Sequence, residues 1–246
     1  MSIKVTADGS MASANPIVSA IIPCLEEEDA IAAVVAAVFA AGVSEVIVVD
    51  GGSRDRTVER ATEAGARIVV ERKRGYGRAV QAGIAAARPD ASVLLFLDGD
   101  GSDDPKFIPD LIAPIATGRA AFVHGSRLRG GHEPGSLSLP QIVAGRLAGL
   151  LLRLVYGVRF SDMSPFRAIR RDALARLGMR EPTYGWNLEM QMRVAAAKLP
   201  MAEIAVTQRR RMGGVSKVSG NLIAGIAAAW TIVATFLRLT LRRERR

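Results

Sequence analysis

Two carboxylates stand at positions i and i+2 on a turn that follows a strongly apolar run. The run is Ser92–Leu97 and the turn is Asp98-Gly99-Asp100. Carboxylates spaced in this way can face one divalent cation that prefers oxygen ligands, such as Mg²⁺ or Mn²⁺, and such a cation also takes oxygens from a substrate phosphate. The spacing therefore predicts a metal site at Asp98 and Asp100. A solvated turn is the alternative, since Asp and Gly are common turn residues.

A second acidic turn follows the apolar run Glu45–Val49. Asp50 begins this turn, the two glycines after it allow close approach of the backbone, and Ser53 can cap the next helix. A carboxylate at this place can accept hydrogen bonds from a ribose or a base. A simple turn between a strand and a helix is the alternative.

Two basic segments contain glycine and could bind phosphate groups. Arg72–Arg74 precedes Gly75-Tyr76-Gly77 at the start of a predicted helix, where an anion is favoured. Its pattern is neither a P-loop nor the G-x-G-x-x-G of dinucleotide-binding folds. The second segment, Arg211–Lys217, predicts a loop that folds over a diphosphate and neutralises it, with a solvated basic loop as the alternative.

Positive charge is concentrated towards the end of the 246-residue chain. The chain has 33 Lys and Arg against 24 Asp and Glu, a formal net charge of +9, and nine basic residues and one acid lie from Thr207 onward. The excess indicates an anionic partner: phosphate groups, nucleic acid or an anionic membrane surface. Only 5% of the residues are aromatic and no RNA- or DNA-binding motif occurs, which argues against nucleic acid.

Apolar runs alternate with helical patterns as far as His124. Predicted strands at 17–22, 45–49, 67–71, 92–97 and 120–124 alternate with predicted helices at 27–40, 54–64, 76–87 and 105–116. This alternation is typical of βαβ units with right-handed crossovers and a parallel sheet covered on both faces. Ligands of such sheets bind beyond the carboxyl ends of the strands, which is where Asp50, Asp98 and Asp100 stand.

After Gly125 the pattern is less regular. We expect a loop at 126–140, helices at 141–156 and 188–197, and strands at 163–169 and 202–206. No charge occurs from Val218 to Leu237, so a C-terminal helix over 219–241 could span a membrane, lie in its interface or pack as an ordinary helix. Residues 1–15 lack the apolar core of a secretory signal and are expected to form a flexible leader.

The remaining groups that could do chemistry have simpler interpretations. Cys24 is the only cysteine and cannot form an intrachain disulfide, which favours a reducing compartment, and we expect its thiol to be buried. His124 and His132 lack partners at metal-ligand spacing and are expected to be structural or surface residues. Glu189 stands where an acid is favourable at the start of a helix, with a catalytic role as the alternative.

Eight segments of the chain, in this order, resemble glycosyltransferase family 2. They are IIPCLEEEDAI, VIVVDGGSRDRT, KRGYGRAVQAGI, LLFLDGDGSDDP, HGSR, SDMSPFRAIRR, YGWNLEMQ and RMGGVSK. The branch that they resemble is that of the polyprenyl-phosphate (dolichyl-phosphate) mannosyl- and glucosyltransferases. The resemblance implies an α/β chain with a GT-A fold: a Rossmann-like, mostly parallel sheet with helices on both faces over 16–218, then an apolar or amphipathic helix and a basic tail over 219–246.

The resemblance also implies roles for individual residues. Those that would bind the nucleotide sugar are Pro23, Glu27, Asp50, Arg74, Asp98 and Ser216. Asp98 and Asp100 would form the DxD motif of the family and hold Mg²⁺ or Mn²⁺, and Arg127 would contact the phosphate of the acceptor. Asp100, Arg211 and Lys217 would be the catalytic groups, the last two closing over the diphosphates.

Three features depart from the pattern of the family. Glu26 stands where an Asn usually precedes the Glu of the first motif, and Ser102 stands where a Gln often follows the DxD motif. Larger members carry C-terminal transmembrane helices, whereas this sequence shows one apolar helix. We therefore expect a protein bound peripherally to the cytoplasmic face of the membrane.

The expected reaction is inverting, metal-dependent transfer of a hexose from a UDP- or GDP-sugar to a lipid of the polyprenyl-phosphate type. A phosphate acceptor is already anionic and needs no general base, whereas a hydroxyl acceptor would need an Asp or Glu as the base. The sequence pattern identifies no such base, which favours a phosphate acceptor. Another lipid or a soluble acceptor remains open. A nucleotidyltransferase would carry a glycine-rich basic loop where this chain has PCLEEED, and a nucleic-acid-binding protein is a remote alternative.

Overall fold

A computed structural model of the chain describes residues 16–213, 230 and 233–240. The predicted leader at 1–15, the candidate site residues Ser216 and Lys217, and most of the predicted C-terminal helix lie outside these residues. The other candidate site residues all lie within the described ranges.

Seven strands form one sheet in the described part of the chain. They are β1 (Val18–Cys24), β2 (Glu45–Asp50), β3 (Arg67–Val70), β4 (Val93–Phe96), β5 (Phe122–Ser126), β6 (Arg167–Arg170) and β7 (Met201–Ala205). Their order across the sheet is β3-β2-β1-β4-β6-β5-β7. β6 runs antiparallel to its neighbours β4 and β5, and the other neighbouring pairs are parallel. The predicted mostly parallel α/β sheet is confirmed.

Helices cover both faces of this sheet. They are α1 (Ile31–Ala40), α2 (Thr57–Glu63), α3 (Tyr76–Ala86), α4 (Ile108–Ala116), α5 (Arg127–Gly130), α6 (Leu139–Tyr156), α7 (Arg171–Leu177) and α8 (Trp186–Ala196). α1, α2 and α4 contribute to one apolar core, and α3, α6, α7 and α8 contribute to the other. β1, β2 and β4 lie buried between the two cores, which explains their continuous apolar sequences.

The strand order reverses between β1 and β4. The chain moves outward from β1 to β3 and then returns to β4 on the other side of β1. Cys24 pairs with Asp50 across β1 and β2, and Ile21 pairs with Phe96 across β1 and β4, so the three strands end at the same edge of the sheet. A ligand site is expected at such a reversal.

The structure corrects several element boundaries. α1 begins at Ile31 rather than at Glu27, because the residues before it form turns against the loop that follows β2. The predicted strand at 163–169 is shorter and starts at Arg167. α5 lies inside the predicted loop at 126–140. α7 has no counterpart among the predicted elements, although Gly178, which is left-handed at its end, is a typical helix stop signal.

Part of the predicted C-terminal helix packs on the domain. Residues 233–240 are helical, and Phe236 is buried with its ring 6.3 Å from that of Tyr156 at the end of α6. Arg238 forms an ion pair with the buried carboxylate of Glu181, in the loop before α8. These contacts favour the packed interpretation for this segment.

Candidate active site

The loop after β1 is fixed to the segment after β2 by hydrogen bonds from its backbone N–H groups to side-chain hydroxyls. The Glu26 N–H donates to Ser53 Oγ at 2.9 Å, and the Glu27 N–H donates to Thr57 Oγ1 at 2.8 Å. Glu26 has a positive φ of 54°. This left-handed conformation favours Asn among non-glycine residues, which explains why an Asn is usual at that place in the family that the sequence resembles. The same turn presents the Glu27 side chain at the edge of the sheet.

The carboxylate of Asp50 organises its own turn. It accepts hydrogen bonds from the Gly52 N–H at 2.9 Å and from the Ser53 N–H at 3.1 Å. Gly52 has a φ of +93°, which a residue with a side chain rarely adopts. Asp50 is buried, and Pro23 lies beside it near the end of the neighbouring strand β1. Both residues therefore stand at the edge where the sequence places nucleoside-binding groups.

Asp100 directs one carboxylate oxygen away from its own loop. Its Oδ1 accepts a hydrogen bond from the Ser102 N–H at 2.9 Å, and its Oδ2 lies 2.9 Å from Arg211 Nη1. Nearby, the buried carboxylate of Asp103 accepts a hydrogen bond from the Asp98 N–H at 3.0 Å and so holds the start of the same loop.

The carboxyl groups of the loop after β4 lie close enough together to raise one another's pKa. Removal from water raises the pKa of the Asp98 carboxyl well above its usual range, and the neighbouring Asp100 and Asp103 carboxylates raise it further. Burial likewise raises the pKa of Asp103, to about 7. Such a cluster is stabilised by a nearby cation.

The residues of this loop fit a divalent cation. Oxygen ligands suit Mg²⁺ and Mn²⁺, and Asp100 Oδ2 already faces a positive group, the guanidinium of Arg211. Among the described residues, no group of three or more His, Cys, Asp or Glu side chains forms a complete metal site. A cation at Asp98 and Asp100 would therefore take its other ligands from water and substrate, as Mg²⁺ does at phosphate-transfer sites.

Arg211 joins the two acidic loops. Its Nη2 lies 2.7 Å from Glu27 Oε1, and its Nη1 lies 2.9 Å from Asp100 Oδ2. The segment around it rests on the Asp98–Asp104 loop: the Met212 N–H donates to the Asp100 carbonyl at 3.0 Å, and Arg209 Nη2 lies 2.8 Å from Asp104 Oδ2. The structure thus brings three of the predicted site residues together: Glu27, Asp100 and Arg211.

Arg127 is held by a carboxylate that the sequence pattern does not identify. Asp162 Oδ2 accepts from the Arg127 backbone N–H at 3.0 Å and from its Nε at 2.7 Å, and Asp162 Oδ1 accepts from Nη2 at 2.8 Å. Burial by itself would raise the pKa of the Asp162 carboxyl, but the guanidinium of Arg127 outweighs burial and lowers this pKa to about 2. The pair is buried and charged, and it leaves Nη1 of Arg127 without a partner among the described residues. The only signal for Asp162 is its place in the SDMSPFR segment.

Arg167, in the same segment, is a fully buried cation. Its Nε donates to the Ser164 carbonyl at 3.1 Å and its Nη1 donates to the Asn187 carbonyl at 3.0 Å. Burial lowers the pKa of Arg167 to about 10, so it remains protonated at neutral pH. Its hydrogen bonds join the segment that contains Asp162 to the start of α8.

Arg74 and Glu189 are not joined to the acidic loops. Arg74 is exposed before α3, and the structure shows no ion pair between it and those loops within the described ranges. Glu189 is buried and accepts hydrogen bonds from the Arg180 and Glu181 N–H groups at 2.9 and 2.7 Å, and from Arg193 Nε at 2.8 Å. Its carboxylate therefore stabilises the start of α8 and the loop before it.

The buried thiol and imidazole agree with their predicted structural roles. Cys24 is buried, and burial raises the pKa of its thiol well above the usual range, so it is not a thiolate at neutral pH. His124 is buried with its Nδ1 3.5 Å from Glu203 Oε1, and burial lowers its pKa. His132 is exposed.

The chain was compared with protein families and with curated proteins. A model of the family described as "Glycosyl transferase family 2" matches residues 19–178. An uncharacterized glycosyltransferase of Mycobacterium tuberculosis is 36% identical over 226 residues, which cover 90% of this chain and 100% of that protein. A dolichyl-phosphate hexose transferase of Haloferax volcanii is 34% identical over 192 residues, which cover 76% of this chain and 80% of that protein.

Solved structures give the same relationship. The crystal structure of glucosyl-3-phosphoglycerate synthase from M. tuberculosis with Mn²⁺, uridine-diphosphate-glucose and phosphoglyceric acid is similar to this fold with a TM-score of 0.73. The two chains are 25% identical, and the match covers 93% of this chain and 81% of that one.

Proposed function

This chain belongs to glycosyl transferase family 2 and has the GT-A fold, so it is a glycosyltransferase, and we propose that it moves a hexose from a UDP- or GDP-sugar to a polyprenyl phosphate with inversion at the anomeric carbon. The observation that carries the proposal is the contact of Arg211 with both Asp100 and Glu27. This contact places the guanidinium of Arg211, which suits a diphosphate, against the two acidic loops on which a nucleotide sugar would lie.

The donor is bound by the edge formed by β1, β2 and β4. Pro23, Glu27 and Asp50 would hold the nucleoside, and Asp98 and Asp100 would hold Mg²⁺ or Mn²⁺. When bound, such a metal supplies positive charge that stabilises the departing nucleoside diphosphate.

Four basic or polar side chains add to that stabilisation. Arg211 donates to the diphosphate oxygens in place of its two carboxylate partners. Lys217 and Ser216 lie outside the described residues, and we assign them to the same diphosphate from their place in the RMGGVSK segment. Arg74, before α3, would bind it as well. The use of a metal is supported by the Mn²⁺ and uridine-diphosphate-glucose bound in the similar synthase.

The acceptor phosphate is bound by Arg127. Asp162 fixes the guanidinium through Nε and Nη2, so that Nη1 is the donor directed at the phosphate. A phosphate oxygen is anionic at neutral pH and attacks the anomeric carbon without a general base. The molecules named with the relatives, dolichyl phosphate and phosphoglyceric acid, both carry a phosphate group.

Polyprenyl phosphate is the favoured acceptor because of the relative from H. volcanii and because α6 exposes apolar side chains. The protein would then work peripherally on the cytoplasmic face of the membrane, in agreement with its single reduced cysteine. A soluble phosphorylated acceptor is the second candidate, and the similarity to the phosphoglyceric acid complex supports it.

A panel of radiolabelled UDP- and GDP-hexoses tests the proposal. The protein is incubated with native membranes and Mg²⁺ or Mn²⁺, and the products are partitioned between an organic and an aqueous phase. We expect label in the organic phase, bound to a phosphate-linked lipid that mild acid cleaves. Label that stays in water as a sugar phosphate ester would favour the soluble acceptor, and no transfer from any donor would contradict the proposal.

A further inference from the structure

Exposed apolar side chains are concentrated on one part of the surface. Ten large hydrophobic side chains are exposed in the described part of the chain. Five of them lie on α6, one lies in the loop before α8, and two, Trp230 and Leu237, lie towards the C-terminus. A soluble surface usually scatters such residues singly, so this concentration indicates a contact with an apolar partner.

α6 turns its large side chains outward and its small ones inward. Leu139, Val143, Leu150 and Leu154 are exposed, and their spacings of four, seven and four residues put them on one side of the helix. The opposite side is made of Ala144, Gly145, Ala148, Gly149 and Leu152, which are buried. Apart from Leu152, the pattern is therefore the reverse of an ordinary surface helix, whose large apolar residues face the core.

α6 lies flat on the domain. A Cβ atom on Gly149 would come within 2.1 Å of the Phe160 carbonyl oxygen, and one on Gly145 would come within 3.3 Å of Asp162 Oδ1. By length and composition, α6 is the one helix among the described residues that could cross a membrane. Its close contact with the domain at Gly145 and Gly149 instead keeps it along the surface.

Positive charge flanks the apolar side of α6. Arg146 and Arg153 are exposed, and each follows an apolar member of that side by three residues. No ion pair in the described part of the chain involves either arginine, and no Asp or Glu occurs from 134 to 161. We call Leu139, Val143, Leu150 and Leu154, together with Arg146 and Arg153, the α6 face.

The neighbouring segments carry aromatic side chains that suit the boundary between lipid and water. The C-terminal helical segment contacts the end of α6 through Phe236 and Tyr156, and it contacts the loop before α8 at Thr235 and Gly185. Trp230 is 72% exposed and Tyr184 is 61% exposed. Trp and Tyr are enriched at membrane interfaces because they join an apolar ring to a polar group.

We propose that the α6 face docks flat on an anionic lipid bilayer, with its leucines in the interface and its arginines on the lipid phosphates. A second copy of the chain is a poorer partner, because a twofold contact through this face would bring four arginines into one interface to which α6 supplies no carboxylate. This inference rests on the proposed function, which supplies the lipid acceptor. Docking through the α6 face would put the enzyme on the membrane that contains that acceptor.

The connection between α5 and α6 relates this surface to the active site. Residues 131–138 run from the end of α5, which begins at Arg127, to the cap of α6. This connection is tied to the Arg211 segment: the Glu133 N–H donates to the Gln208 carbonyl at 2.9 Å, and Arg210 Nε donates to the Pro134 carbonyl at 2.6 Å. A bilayer under α6 is therefore one short connection from the proposed acceptor-binding arginine.

Co-sedimentation of the full chain with vesicles tests the docking. The vesicles are phosphatidylcholine alone or phosphatidylcholine with about 30 mol % phosphatidylglycerol. We expect the protein to bind the anionic vesicles, and L150S/L154S to lower the partition coefficient at least about tenfold. R146Q/R153Q should lower it by a similar factor and remove much of its dependence on salt concentration.

Val70 provides a matched control. It is 54% exposed on β3, away from α6, whereas Leu150 is 52% exposed. V70S should bind vesicles as the wild type does. Fluorescence adds a second readout, because Trp186 is buried and Trp230 is exposed: brominated lipid should quench a signal that W230F removes.

Each outcome decides between partners. The proposal would be overturned if the wild-type protein does not bind anionic vesicles. It would also be overturned if L150S/L154S binds them as well as the wild type does. A dimer in analytical ultracentrifugation that L150S/L154S converts to monomers would overturn it too. Hexose transfer to a short-chain, water-soluble prenyl phosphate should be unchanged in L150S/L154S, so a failure of vesicle binding and a failure of the proposed reaction are separately visible.

Discussion

Arg211 Nη1 lies 2.9 Å from Asp100 Oδ2. The guanidinium that we propose to bind the diphosphate is thus paired with the carboxylate that we propose to bind the metal. Its other contact, from Nη2 to Glu27 Oε1 at 2.7 Å, is with a proposed nucleoside-binding residue. A divalent cation at Asp100 and Arg211 therefore compete for one carboxylate. A bound diphosphate removes the competition, because it offers Arg211 new acceptors while it adds ligands to the metal.

This competition predicts that Arg211→Gln binds Mn²⁺ alone more tightly than the wild type, by about three- to tenfold. Added UDP should strengthen Mn²⁺ binding more in the wild type than in the variant, since only the wild type has an arginine to release. Electron paramagnetic resonance of free Mn²⁺ measures both effects without turnover. Arg210→Gln is the control, because that side chain contacts the Pro134 carbonyl rather than a carboxylate of the loop after β4. Equal Mn²⁺ affinities in wild type and Arg211→Gln would refute the competition.

The buried pair of Arg127 and Asp162 should determine part of the acid stability. The pKa of Asp162 is about 2 in the fold, below the value of about 3.9 in an unfolded chain. Because the folded value is the lower one, the stabilisation is complete above about pH 4 and is lost as the pH falls towards 2. The pKa difference corresponds to roughly 2–3 kcal/mol.

Asp162→Asn should therefore flatten the decline of unfolding free energy between about pH 4 and pH 2, measured by urea titration at each pH. Asp172→Asn serves as the comparison, because that carboxylate is half exposed and its ion pairs with Arg170 and Arg176 are solvated. Parallel stability curves for wild type and Asp162→Asn would show that the pair does not act in this way.

Arg127 can be tested as an acceptor-binding group without leaving a buried charge. The double variant R127Q/D162N removes both charges of the pair, whereas R127Q alone would leave Asp162 unpaired. We expect the KM for the acceptor phosphate to rise about 10- to 100-fold, as for loss of one hydrogen bond to a charged group, with the donor KM unchanged. A rise in the donor KM instead would assign Arg127 to the other substrate.

Gly99, between the two DxD carboxylates, has no room for a side chain. A Cβ at this position would lie 2.3 Å from Cys24 Sγ, so Gly99→Ala must displace the loop, at a cost of about 1–3 kcal/mol in folding free energy, and should lower hexose transfer. C24A/G99A should recover part of both losses. Gly51→Ala, where the nearest atom would be 3.4 Å away, is the control. If C24A does not improve the Gly99→Ala protein, crowding at Sγ is not the cause.

The sequence predicts the fold and the place of the acidic turns because both depend on local patterns. Asp50, Asp98 and Asp100 each follow a buried apolar run, and parallel strands carry such residues to one edge of the sheet. Arg211 stands in a basic segment that contains glycine, a composition that by itself indicates a phosphate-binding loop.

The parts that could not be predicted depend on contacts between distant residues. Asp162 is 35 positions from Arg127, and nothing in the intervening loop and helix pairs them. α1 begins late because Glu26 and Glu27 donate to Ser53 and Thr57, about 30 positions further along the chain. Helical periodicity continues through Glu27 in the sequence, and tertiary hydrogen bonds override it.

The central claim is that hexose transfer depends on the carboxylate of Asp100 as a metal ligand. The variant Asp100→Ala tests it most directly. Transfer from the labelled donor to lipid, measured with saturating Mn²⁺, should fall at least about a hundredfold while the melting temperature stays near that of the wild type. Asp110→Asn, an exposed acid on α4, should keep full activity. Metal-dependent transfer at the wild-type rate by a folded Asp100→Ala protein would contradict the claim.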